Sequence, residues 1–95
     1  MGDVDVGLVN QYLTRVNQLA CKAESGAEIT ADLGRVVGEA IDHFAIVHNP
    51  AAQLEGFISQ LKISAEVLRE KSPVHAEVLS RAVTIAARAS VEPQT

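Results

Sequence analysis

A chain of 95 residues with 8 Lys and Arg against 12 Asp and Glu carries a formal charge of −4, which argues against nucleic-acid binding by phosphate neutralisation. Its 47% hydrophobic content is too high for intrinsic disorder, and its single Cys excludes an intrachain disulfide framework. No run of about 18 apolar residues is present to cross a membrane.

The length fits a single helical domain over residues 1–95. Its apolar mass is 14 Ala, 12 Val, 8 Leu and 6 Ile, with Tyr12, Phe44 and Phe57 as the aromatic anchors. Small side chains reach native density only where backbones approach closely, and small cores are often completed by a second subunit. The segment from Met1 to Val6 has no basic region followed by an apolar run, and Val6 breaks the myristoylation pattern. A cytoplasmic protein is expected.

The first helix is predicted over about 4–24. Asp3 or Asp5 is its candidate cap, and Ser25-Gly26 its stop, because Gly tolerates the left-handed conformation of a helix end. Val9, Tyr12, Leu13, Val16, Leu19, Ala20 and Ala23 recur in steps of three and four and form its seam. Asn10, Thr14, Asn17 and Cys21 make an uncharged polar flank, so Cys21 is expected to be partly exposed and reduced. No His or basic cluster near it in sequence would activate it as a nucleophile.

The second helix, about 31–48, takes Thr30 as candidate cap, with Asp32 at the positive end of the dipole. Leu33, Val36, Val37, Ala40, Ile41, Phe44 and Val47 form its seam. Beside the seam runs a second stripe of Gly34, Gly38, Ile41 and Ala45. The two together cover about 200° of the wheel, twice the stripe of roughly 100° that a peripheral helix needs. The polar remainder is Arg35, Glu39, Asp42 and His43. Each Gly costs roughly 0.5–1 kcal/mol relative to Ala inside a helix, so the Gly34-x-x-x-Gly38 spacing asks for close packing, either within the bundle or between copies.

The third helix, about 50–70, opens on Asn49-Pro50 as cap and first helical residue. Leu54, Phe57, Ile58, Leu61, Ala65 and Leu68 form its seam, and Gly56, Ile63 and Val67 a weaker apolar line on its back, interrupted by Gln60. The fourth, about 73–90, repeats the start signal at Ser72-Pro73, and Pro93 closes the chain. Its seam is Val78, Leu79, Ala82, Ile85, Ala86 and Ala89, and its exposed stripe Glu77, Arg81, Thr84 and Arg88. Joints of roughly one to six residues make sequential helices antiparallel, which gives an all-α, up-down-up-down four-helix bundle. The alternative is a pair of helical hairpins that completes its bundle in a dimer.

Several helical chemistries fail on their spacing. A phosphotransfer histidine wants Lys and Gly three and four residues on. Those positions hold Ile46 and Val47 after His43, Ala51 and Ala52 after His48, and Val78 and Leu79 after His75. A di-iron bundle needs Glu-x-x-His pairs, but Ala40, Ala45 and Ser72 stand three before the histidines. Glu39 and His43 lie one turn apart and could give two ligands, without a third on the same face; a solvated pairing of the two is expected instead. Glu39-x-x-Asp42 is half of the magnesium motif of all-α nucleotide pyrophosphohydrolases, and the other half is absent. Asp32 is followed by Leu33 rather than the Ser of an acyl carrier. Arg81 and Arg88 lack the aromatic interleaving of a nucleic-acid surface. His75 falls on the core side as a satisfied bundle-end histidine.

The expectation is therefore a non-catalytic protein-interaction module, an adaptor, chaperone, inhibitor or regulator, with no catalytic, metal or cofactor site. It is expected to be a homodimer whose contact includes Gly34, Gly38, Ile41 and Ala45, with Ile63 and Val67, and to bind a protein partner. The alternative is a small helical enzyme or phosphotransfer domain using His43 with Glu39 and Asp42. Whether that trio shares one concave pocket separates the two.

Overall fold

The computed structural model describes the backbone of residues 5–47 and 49–91 and the side chains as far as Arg88. The expectations at Asp3, His48 and Pro93, and the burial of Ala89, lie outside the described residues. Four helices follow in order: α1 (Val6–Glu24), α2 (Thr30–Ala45), α3 (Pro50–Leu68) and α4 (Pro73–Val91). No strand occurs among the described residues. The joints between helices hold four or five residues, a reach of at most about 18 Å. Helices of 16 to 19 residues are about 24–28 Å long. A joint that short cannot carry the chain back along a helix, so each helix reverses the one before it. The product is the expected up-down-up-down four-helix bundle, in which every pair of helices makes contact.

The ends of α1 follow the sequence signals. Asp5 is its cap, and its Oδ1 accepts from the Leu8 N–H at 3.1 Å. Gly26 takes φ 97°, and the N–H groups of Gly26 and Ala27 donate to the carbonyls of Ala23 and Lys22 at 2.9 and 3.1 Å. That double bond pattern satisfies two carbonyls that a helix end otherwise leaves open.

The ends of α2 depart from expectation. Thr30 is the first helical residue rather than the cap, and no side chain caps from Ile29 before it. Glu28 does the work from outside, its Oε2 accepting from the Thr30 N–H at 3.3 Å. Hydrogen bonds from the Thr30 side chain first, then from its backbone, hold the Glu28 carboxyl below the usual carboxylate range. The helix stops at Ala45, three residues early, with the Ile46 and Val47 N–H groups turned onto the His43 and Phe44 carbonyls. The cause lies at Asn49-Pro50. The proline ring disfavours helical backbone in the residue before it. Asn49 takes the left-handed region instead, φ 54°, which Asn tolerates better than most residues. Pro50 opens α3 as expected, but Asn49 supplies only its carbonyl, to the Gln53 N–H at 3.1 Å, and no side-chain cap.

The seams meet in one core. Val16, Leu33, Val37, Phe44, Phe57, Leu61 and Leu79 are fully enclosed. Tyr12, Phe44 and Phe57 stack edge to face with centroids 5.8 and 5.5 Å apart, which joins α1, α2 and α3. Apolar periodicity misses Gln53. It is 2% exposed, and its Oε1 accepts from the Asp5 N–H at 2.6 Å, tying the start of α1 to the first turn of α3. The α4 helix packs most extensively, against both α1 and α3, and α2 least.

Candidate functional site

The loose packing of α2 leaves one side of it open. Its seam residues Leu33, Val36, Val37, Ala40 and Phe44 are buried. The adjoining stripe is not: Gly34 and Ala45 are exposed, Gly38 and Ile41 half-buried. Beyond its own turn of helix, a Cβ placed on Gly34 or Gly38 would meet no atom of the described residues within 4 Å. Close packing inside the bundle therefore does not account for either glycine, since no neighbouring element among the described residues approaches them. Towards the C-terminal end of α2 the stripe opens into an apolar groove of about 350 Å³, shared with α3 and lined by Ile41, Ala45, Leu54 and Ile58. Glu55 is the one charged residue on its wall among the described residues. At the other end a second, mixed hollow lies between Thr30 and Leu33 of α2 and Arg81, Thr84 and Ile85 of α4. The stripe from Gly34 to Ala45 is thus an uncovered apolar strip on α2 that leads into the groove shared with α3.

Ile63 and Val67 are 56% and 63% exposed, but they belong to a different face. Ile63 comes five residues after Ile58, about 140° round α3, so the two point away from the groove that Leu54 and Ile58 line. The structure gathers Gly34, Gly38, Ile41 and Ala45 into one surface and does not bring Ile63 and Val67 into it.

Glu39, Asp42 and His43 do not share a pocket. Glu39 binds Arg15 of α1 at 2.9 Å, and His43 Nδ1 meets the Tyr12 hydroxyl at 3.0 Å. The Arg15 guanidinium lies 5.5 Å over the Tyr12 ring. These four side chains lock α1 to α2. The expected Glu39–His43 pairing is thus replaced by two contacts across the helix interface, for which the sequence of α2 alone carries no signal. Asp42 faces solvent about 60° round from Glu39. Their ligand atoms do not converge, and none of the three lines the hollows described above.

A different trio does converge. Antiparallel α1 and α4 place the last turn of one beside the first turn of the other. The Cys21 sulfur, a Glu24 carboxylate oxygen and a His75 ring nitrogen lie within 4.8 Å of one another. His75 Nδ1 stands 3.9 Å from Glu24 Oε2, and its Nε2 lies 2.7 Å from Asn17 Oδ1. Asn17 Nδ2 donates to the Leu13 carbonyl at 2.9 Å, which fixes the orientation of the amide. Cys21 is exposed and His75 a satisfied, half-buried bundle-end histidine, both as expected. Their proximity is the part that sequence reasoning missed, because more than fifty residues separate them.

Among the described residues no helix is long and apolar enough to cross a membrane. Comparison with protein families, with curated proteins and with solved structures finds no match.

Proposed function

We propose that this chain is a non-catalytic, regulatory protein-interaction module that works as a homodimer, with the open face of α2 docked on its counterpart in a second copy. The observation that carries this reading is the empty space over Gly34 and Gly38. Two glycines inside a helix weaken it, and among the described residues no contact with another element offsets that cost. A partner helix that needs close approach does.

A second copy is favoured over other occupants by self-complementarity. Gly34 and Ala45, and likewise Gly38 and Ile41, are centred on the same point of α2, between Glu39 and Ala40. An antiparallel two-fold through that point seats Ile41 of each copy over Gly38 of the other, and Ala45 over Gly34. The large side chain meets the missing one. Arg35 and Asp42, seven residues apart on one line of α2, flank the stripe on the same side. The same two-fold sets Arg35 of one copy about 3 Å along the axis from Asp42 of the other, within reach of a guanidinium. Isologous two-fold contacts are the commonest assemblies. Ile63 and Val67, on the far face of α3, remain accessible to a protein partner in such a dimer. A cytoplasmic setting keeps the exposed Cys21 as a thiol.

Sedimentation velocity over a concentration series tests the reading. Wild type should sediment as a dimer at micromolar concentration. The Gly38→Leu variant should sediment as a monomer with its helicity retained, because a Cβ at this position meets no other element among the described residues within 4 Å. A monomeric wild type, or a Gly38→Leu variant that stays dimeric, contradicts it.

A further inference from the structure

We infer that Cys21, Glu24 and His75 form a binding site for a zinc-like divalent cation, independent of the docking face on α2. Three ligand types meet here from two helices, with donor atoms within 4.8 Å of one another. The sulfur, imidazole and carboxylate set suits borderline-soft Zn²⁺, and it lacks the all-oxygen shell that Ca²⁺ or Mg²⁺ requires.

The histidine is already set for the task. Asn17 Nδ2 is committed to the Leu13 carbonyl, so Oδ1 is the atom facing His75. An amide oxygen only accepts, so His75 Nε2 carries the hydrogen and donates it. In the neutral ring the lone pair then belongs to Nδ1, the nitrogen turned towards Glu24 at 3.9 Å. A metal-binding histidine almost always donates its other N–H to an oxygen in this way, which fixes tautomer and ring orientation. Asn17 is the positioning residue.

Ligand distances of about 2.0 Å to nitrogen or oxygen and 2.3 Å to sulfur place the donors of a tetrahedral ion roughly 3.5 Å apart. Closing the trio onto an ion therefore takes an inward movement of about an ångström. Cys21 and Glu24 are exposed and free to rotate, while half-buried His75 stays in place. On binding, the Cys21 thiol passes its proton to solvent and ligates as thiolate. Thiolate and carboxylate together neutralise the two charges of the ion, and water completes the fourth position.

Titration of the full chain with Zn²⁺ by calorimetry, and with Co²⁺ by absorption, tests the site. One ion per chain should bind, and Co²⁺ should give a thiolate charge-transfer band. Cys21→Ser and His75→Gln should each weaken Zn²⁺ binding at least tenfold, and Cys21→Ser should abolish the band. Asn17→Ala should weaken binding by about 10–100-fold without removing the band. Glu77→Gln, an exposed carboxylate elsewhere on α4, should leave the affinity unchanged. Circular dichroism of each variant separates a lost ligand from a lost fold, and Cys21→Ser, at an exposed position, keeps the helices. Absence of saturable binding, or a Cys21→Ser protein that binds as wild type, overturns the inference.

Discussion

Replacing Gly38 by Ala separates the two environments that its helix face can have. In the isolated chain the new methyl meets no other element among the described residues within 4 Å, and Gly38 has helical backbone, so the substitution introduces neither clash nor strain there. What remains is the helix propensity difference, a gain of about 0.5–1 kcal/mol. For a domain of this size each kcal/mol moves the melting temperature by about 4–8 °C, so the variant should melt roughly 2–8 °C higher when dilute. In the proposed dimer the same methyl would stand beneath Ile41 of the other copy and push the helices apart. Association stabilises the folded state by mass action, so the melting temperature of the wild type should rise with protein concentration. That of Gly38→Ala should rise less, and the two curves should converge or cross. Calorimetric scans across a wide dilution range read both effects on one sample. A wild-type melting temperature that does not depend on concentration, with a constant gain in the variant, would refute the claim that a second copy covers α2.

Three further perturbations address the fold. Phe57→Ala should cost about 3–5 kcal/mol in urea unfolding, because the ring is fully enclosed and stacks on Phe44 at 5.5 Å. Asp5→Ala should cost about 1 kcal/mol through loss of the bond from the Leu8 N–H, read as a lower urea midpoint at unchanged slope. Glu28→Gln should flatten the acid side of the stability profile. Its carboxyl titrates below the usual value when folded, so its contribution is present above the ordinary carboxylate pKa and lost as pH falls through the folded one. A variant with the same acid dependence as wild type would count against the bonds to Thr30.

Helical periodicity records which side chains point inward, and every predicted seam residue with a described side chain is buried or half-buried in the core. It also exposes a surplus, which is why the stripe of Gly34, Gly38, Ile41 and Ala45 could be named before the fold was known. Its limits are set by what a single helix cannot encode. Gln53 is buried because the chain entering α1 offers it a backbone N–H, a partner 48 residues distant. Glu39 and His43 look like a pair on a wheel, yet Arg15 and Tyr12 compete for them from α1 and win, since charge-assisted and ring-edge contacts across a packed interface displace a solvated i,i+4 contact. The cation site lies further still from any local pattern. Cys21 and Glu24 sit three residues apart on α1, an unremarkable spacing, and they acquire meaning only when antiparallel pairing delivers His75 with its tautomer fixed by Asn17. Such a site is a property of the bundle's end rather than of any helix. The same reasoning applies to α2 one level up: no other element among the described residues packs on Gly34 or Gly38, and the proposed dimer would set side chains of a second copy against them.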